Sequence, residues 1–302
     1  MKIVKYRFIY IAISVVLILV GIAAMIFNSV KDNGAFNYDI QYTGGTSIQV
    51  DLGKSVPDEE IAKIITDITG EENPQIQALE ETSKVIKTKS LDTETRNEVQ
   101  EALKSQYGIE NTNFTIQDVS GTISNEMKKN SVISIVVACI CMLIYVSLRF
   151  KDFDIGASAV LALCHDALIV TGSYALLIIP LNNIYIAVIL TILGYSINAT
   201  IVIFDRLRED RKVIGRNNFE ALVDSSVTKT LARSIFTSLT VFIASGCLLI
   251  WGVDSIKQFA LPITVGVICG GYSSVFISGN IWYLLATARY NRKQAKLGNK
   301  RK

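Results

Sequence analysis

Residues 155–204 read IGASAVLALCHDALIVTGSYALLIIPLNNIYIAVILTILGYSINATIVIF, and only His165 and Asp166 among those 50 positions carry an acidic, basic or imidazole side chain. A bilayer core about 30 Å thick needs roughly 20 apolar residues in a helix. The stretch is therefore long enough for two crossings, with Pro180-Leu181-Asn182-Asn183 as the turn between them. Four further uncharged runs flank it: Phe8–Phe27 with 20 residues, Ser131–Leu148 with 18, Ser234–Val253 with 20 and Gln258–Ala288 with 31. Six transmembrane helices are predicted. The composition agrees, since half of the 302 residues are hydrophobic and only 19% are charged, a balance that soluble domains seldom show. The first run exceeds the roughly 7–15 residues of a signal-peptide core and no clean small-x-small cleavage site follows it, so an uncleaved anchor is expected.

Charge then orients the chain. Lys31–Glu126 holds 8 basic and 18 acidic residues, whereas Arg289–Lys302 holds 7 basic residues and no acid. Lys2, Lys5 and Arg7 precede the first run, seven bases lie within Asp205–Arg233, and Arg149 and Lys151 sit in a short connection. The positive-inside rule places both termini in the cytoplasm and the acidic segment outside. The expected organisation is a cytoplasmic N-terminus and first span in 1–30, an extracytoplasmic α+β domain in 31–126 and spans two to four in 127–204. A cytoplasmic loop then covers 205–233, spans five and six cover 234–288, and 289–302 is a basic cytoplasmic tail. The cell membrane is the expected location. Attraction to anionic lipid explains the basic tail, and no nucleic acid is expected as a partner.

The five cysteines, Cys139, Cys141, Cys164, Cys247 and Cys269, all fall in predicted spans, so the exported domain has no disulfide. They read as small packing residues. Neither metal-ligand spacing, nor a nucleotide fingerprint, nor a Ser/His/Asp set occurs, and the chain has one histidine. No cofactor, no metal and no enzymatic activity are expected.

Within the exported segment, Tyr38–Tyr42 alternates as a strand, Gly44-Gly45 makes a bulge or a tight bend in an edge hairpin, and Ser47–Asp51 resumes the alternation. Pro57-Asp58-Glu59-Glu60 opens a helix with Ser55 as its cap, and Ile61, Ile64, Ile65 and Ile68 repeat at helical period. Strands follow at Gln75–Leu79 and Lys84–Thr88. Asp92 caps a second helix through Val99 and Leu103 that Gly108 stops, and Asn113–Val119 is a last strand. The order ββαββαβ predicts a ferredoxin-like layer of sheet and two helices.

Polar residues inside spans are costly and mark functional candidates. His165 and Asp166 sit in the third span, about 15–18 Å from Asp154 at the helical rise. The fourth span carries Thr191, Gly194, Tyr195, Asn198, Thr200 and Asp205, the fifth Thr230, Arg233, Thr237 and Thr240, and the sixth Gly266-x-x-x-Gly270, Ser273 and Ser274. The expectation is that these stripes meet along one polar seam. His165, Asp166, Asn198, Thr200, Asp205, Arg233 and Thr237 are its candidate ion-relay residues. Two readings stay open for His165-Asp166, an ion or proton role and a buried structural pair.

Several motifs together resemble a known family. Gly194-Tyr195-Ser196-Ile197-Asn198, then Thr200 through Glu209, resemble the fourth-span signature of the SecF family. Asp39 through Thr46, Tyr145 through Phe150, His165-Asp166, Thr230 through Ser234 and Thr237 through Thr240 resemble further SecF motifs in the same order. The resemblance implies the fold of the proton-driven resistance-nodulation transporters. It implies an accessory subunit of the Sec protein-export translocon that acts with a SecD partner and the SecYEG channel, drawing unfolded preprotein across the membrane with the ion gradient. A resistance-nodulation small-molecule exporter half and a non-transporting scaffold are the alternatives. One position departs from the pattern: Ala199 stands where the family has a relay aspartate, opposite the arginine matched by Arg233. Either Asp166 or a SecD carboxylate takes over, or another ion couples through Asn198 and Thr200, or this subunit is structural.

Overall fold

A computed structural model describes residues 1–31, 34–71, 74–79, 82–215 and 217–299. Ten α-helices and four strands run in the order α1 (Arg7–Val30), α2 (Ile40–Thr43), β1 (Gly45–Asp51), α3 (Asp58–Thr69), β2 (Gln75–Ala78), β3 (Ser83–Thr88), α4 (Thr93–Tyr107), β4 (Phe114–Val119), α5 (Gly121–Phe150), α6 (Phe153–Leu176), α7 (Ile184–Asp210), α8 (Phe219–Trp251), α9 (Asp254–Ser273) and α10 (Gly279–Asn299) among the described residues. A π-helical turn, Ser274–Ser278, joins α9 to α10.

Among the described residues, six helical segments are long and apolar enough to cross a membrane: Val4–Val30, Gly121–Phe150, Phe153–Leu176, Ile184–Asp210, Phe219–Trp251 and Ile256–Leu297. Their faces agree with a lipid surround. Phe8, Val16 and Phe27 of α1, Val132 and Leu148 of α5, and Phe236, Ile250 and Trp251 of α8 are all exposed. Water would penalise that much bare apolar area, while hydrocarbon does not. The chain is a multi-pass membrane protein. The segment 205–233, expected as a loop, is helical over most of its length: α7 continues to Asp210 and α8 begins at Phe219.

Small residues let the central helices approach. A Cβ on Gly21 of α1 would stand 2.8 Å from the Gly172 Cα of α6, and one on Gly270 of α9 would stand 3.1 Å from the Ser196 Cβ of α7. Lipid supplies no hydrophobic drive between helices, so such close packing and the hydrogen bonds beside it carry the association.

Outside the apolar helices lies a four-stranded sheet in the order β2-β3-β1-β4, each neighbour pair antiparallel. Strand period 2 turns Ile48, Val50 and Ile86 to one face. There they meet Ile61 and Ile65 of α3 and Val99 and Leu103 of α4, all fully buried. Asp92 caps α4 as expected, its carboxylate accepting from Thr95 N at 2.8 Å, and Gly108 ends it at φ 69°. The N-cap of α3 is Pro57, with no side-chain cap bond, so Ser55 does not cap it.

Tyr38–Tyr42 is not a strand. Asp39 caps a single helical turn at Ile40–Thr43, and Gly44 closes it with φ 77°. Gly44-Gly45 does make a tight bend, but β1 is an interior strand rather than the edge of a hairpin. At φ 133°, Gly45 lies against the Thr88 carbonyl where a Cβ has no room. The turn docks the sheet layer onto the bundle. Tyr42 Oη bonds Ser131 Oγ of α5 at 2.8 Å, Asn183 N donates to Gln41 Oε1 at 2.9 Å, and Asp39 N donates to Leu181 O at 3.1 Å. Alternation of apolar residues was produced by docking contacts, not by a ladder.

Candidate functional site

The polar residues of the spans do not share one seam; they divide into two groups on opposite faces of α7. Asn198 and Thr200 are two positions apart, which on a helix is about 200° of rotation. Thr200 and Ser196, four apart, therefore turn inward together and are fully buried, while Asn198 is exposed.

The inner group centres on Asp166, which is 0% exposed. Its Oδ2 accepts from Ser196 Oγ of α7 at 2.6 Å and from Ser273 Oγ of α9 at 2.7 Å. Its Oδ1 faces His165 Nδ1 at 2.9 Å and Cys269 Sγ at 3.3 Å. Three helices are thus tied to one carboxylate. Thr200 Oγ1 lies 3.0 Å from Ser274 Oγ, which in turn donates to the Ser196 carbonyl at 3.2 Å. Ser274 opens the π-helical turn, a form that recurs at functional positions because it interrupts the regular carbonyl ladder. His165 carries the only basic side chain within ion-pairing distance of Asp166 among the described residues. A charge in so dry a place is strongly penalised unless hydrogen-bonded and compensated.

The outer group lines a recess of about 200 Å³ between α7 and α8, formed by Tyr195, Asn198, Ala199, Val202, Arg233, Ser234 and Thr237. It holds no acidic side chain. Arg233 is exposed on the bundle surface, and its guanidinium has no carboxylate partner among the described residues. Thr237 Oγ1 is spent on its own helix, donating to the Arg233 carbonyl at 2.9 Å, and Tyr195 Oη donates to Ser238 Oγ at 2.9 Å.

Asp205 belongs to neither group. It pairs with Arg149 at 3.4 Å near the ends of α7 and α5. It joins a layer of charges at that end of the bundle, with Lys229 on Asp210 at 2.8 Å, Arg211 on Asp152 at 2.9 Å and Arg289 on Asp154 at 2.9 Å. Asp224 belongs there too, its Oδ1 accepting from Ile3 N at 2.8 Å and Val4 N at 3.0 Å. Reading the sequence missed Asp152, Asp210 and Asp224 as tethers, and missed Ser196 and Cys269 as partners of Asp166. The i, i+4 pair Ser196 and Thr200 was a usable signal for the former. For Cys269 the separation of 103 residues left none.

Comparison with known proteins points one way. Residues 98–288 match the family described as "Protein export membrane protein SecD/SecF, C-terminal". The protein translocase subunit SecF of Sebaldella termitidis is 33% identical, over 99% of this chain and 96% of the relative. The protein translocase subunit SecDF of Thermus thermophilus is 34% identical over 88% of this chain, but over only 36% of its own length. The crystal structure of SecDF, a translocon-associated membrane protein from Thermus thermophilus, superposes with a TM-score of 0.83 at 29% identity. That match covers 96% of this chain and 39% of the SecDF chain. The chain thus spans about two fifths of the solved SecDF molecule.

Proposed function

The chain belongs to the SecD/SecF family of protein-export membrane proteins, and from that premise we propose that it is the SecF-type accessory subunit of a Sec export translocon. In this reading it works with a SecD-like subunit and the SecYEG channel to draw unfolded preprotein outward at the expense of an ion gradient. The match to part of a SecDF chain supports a SecD-like partner for this region. The excess of lysine and arginine near the termini supports an orientation with both ends in the cytoplasm of the cell membrane. The strand order β2-β3-β1-β4, with α3 and α4 on one face, supports a ferredoxin-like exported domain.

The observation that carries the proposal is the outer recess. It holds an exposed guanidinium with no carboxylate partner among the described residues, and its lining comes from α7 and α8. A cation at membrane depth needs a counter-charge, and Ala199 supplies none. Asn198, Arg233 and Thr237 are therefore half of an ion path, and the SecD-like subunit brings the carboxylate. His165, Asp166 and Thr200 are the brace that holds α6, α7 and α9 in register behind it. Asp205 steadies the cytoplasmic end through Arg149.

A photo-crosslinking residue at Val202, within the recess, tests this in intact membranes. Capture of a SecD-like protein, together with co-purification of SecY in mild detergent, is the expected result. Capture of a second copy of this chain, or of lipid alone, would overturn the assignment of the recess.

A further inference from the structure

We propose that His165, Asp166 and Cys269 form a binding site for a borderline-soft divalent cation of the zinc class, inside the membrane bundle. It goes beyond the translocation reading and does not depend on it. His165 Nδ1, Asp166 Oδ1 and Cys269 Sγ lie within 4.8 Å of one another. Their separations are 2.9 Å for nitrogen to oxygen, 3.3 Å for sulfur to oxygen and 4.0 Å for sulfur to nitrogen. A tetrahedral centre with bonds of about 2.0–2.3 Å holds such ligand atoms about 3.3–3.6 Å apart. Shifts of a few tenths of an ångström convert one arrangement into the other, so no backbone has to move.

Charge balance favours the same class of ligand. A fully buried carboxylate here has neither lysine nor arginine beside it among the described residues. A divalent cation with one carboxylate, one thiolate and one neutral imidazole sums to zero, which is what a low-dielectric site requires. Binding would release the Cys269 proton to water as the sulfur–metal bond forms. A ring nitrogen with a thiolate selects the zinc class over magnesium and calcium, which prefer oxygen.

The hydrogen bonds that would orient the carboxylate ligand are already in place. Ser196 and Ser273 both donate to Asp166 Oδ2, which turns Oδ1 toward the imidazole and the thiol. His165 Nε2 is buried without a hydrogen-bond partner among the described residues, which is unfavourable, so the ring's placement has to be favoured on its Nδ1 side. His165 and Cys269 retain 8% and 7% exposure, so an entering ion meets the two outer ligands before the enclosed carboxylate.

The test uses the full chain in detergent, freed of metal by a chelator and titrated with Co²⁺ alone. One equivalent is expected to bind with tetrahedral d–d absorption and a sulfur-to-cobalt charge-transfer band. Cys269→Ser should abolish that band. Ser196→Ala should keep it and weaken binding by about 10–100-fold, the usual loss when a hydrogen bond that orients a metal ligand is removed. Absence of the band in the unaltered chain, or its persistence in Cys269→Ser through another thiol, would overturn the proposal. Thermal unfolding of both variants without metal separates lost ligation from lost fold.

Discussion

Ser273 Oγ donates to Asp166 Oδ2 at 2.7 Å, joining the last span to the third across a separation of 107 residues. The serine's other contact is within its own helix, to the Gly270 carbonyl at 3.3 Å. Ser273→Ala removes one donor from a buried charged acceptor, which costs about 1.5–3 kcal/mol. Denaturant unfolding of the protein in micelles should show that loss. The exposed control Thr240→Ala, whose hydroxyl bonds only its own helix at Phe236, should shift the midpoint little.

Gly21 and Gly172 leave no room between α1 and α6. Gly172→Val should cost about 1–3 kcal/mol, the usual range for overpacking, and Gly172→Ala less, because one methyl is smaller than three carbons. Disulfide trapping between cysteines introduced on the two helices near these positions should fall in the same order. Equal trapping in both variants would contradict the close approach.

Arg233 has no ion-pair partner among the described residues. Arg233→Ala removes a charged hydrogen-bonding group worth about 1.5–3 kcal/mol, which corresponds to about tenfold or more in an equilibrium. Gradient-stimulated export of a preprotein into membrane vesicles should fall by at least that factor, and Arg233→Lys should recover part of it. Ala199→Asp places a carboxylate in the same recess. It should lower crosslinking from Val202 to the SecD-like partner by competing for the guanidinium.

Tyr42 gives a pH signature. Burial holds its hydroxyl above the ordinary value of 10.0, and the hydrogen bond with Ser131 offsets only part of that rise. The sign follows from linkage: the folded state retains the proton more tightly than the unfolded state. Its contribution is therefore fully present below pH 10.0 and is lost as pH rises through the higher folded value. Tyr42→Phe should lose about 0.5–1.5 kcal/mol at neutral pH. The gap between the two proteins' unfolding free energies should change as pH rises above the ordinary value of 10.0, and a constant gap would refute the burial effect.

Local chemistry decides some things about this chain outright. In hydrocarbon every backbone polar group must be satisfied within its own segment, so uncharged runs such as 155–204 become spans whatever surrounds them. The caps Asp92 and Gly108 work over a few residues, and both behave as read. The ordered motifs from Asp39 to Thr240 likewise suffice for the family. Context decided the rest. Tyr38–Tyr42 alternates like a strand, yet its apolar positions serve docking on α5 and the α6–α7 turn. Asp166 and Cys269 meet only because α6 and α9 pack side by side, and hydropathy is silent on which helices become neighbours when lipid is as apolar as their faces. The division of Thr200 from Asn198 follows from helical rotation, but which face turns inward was fixed by the serines and the carboxylate that had to be buried together.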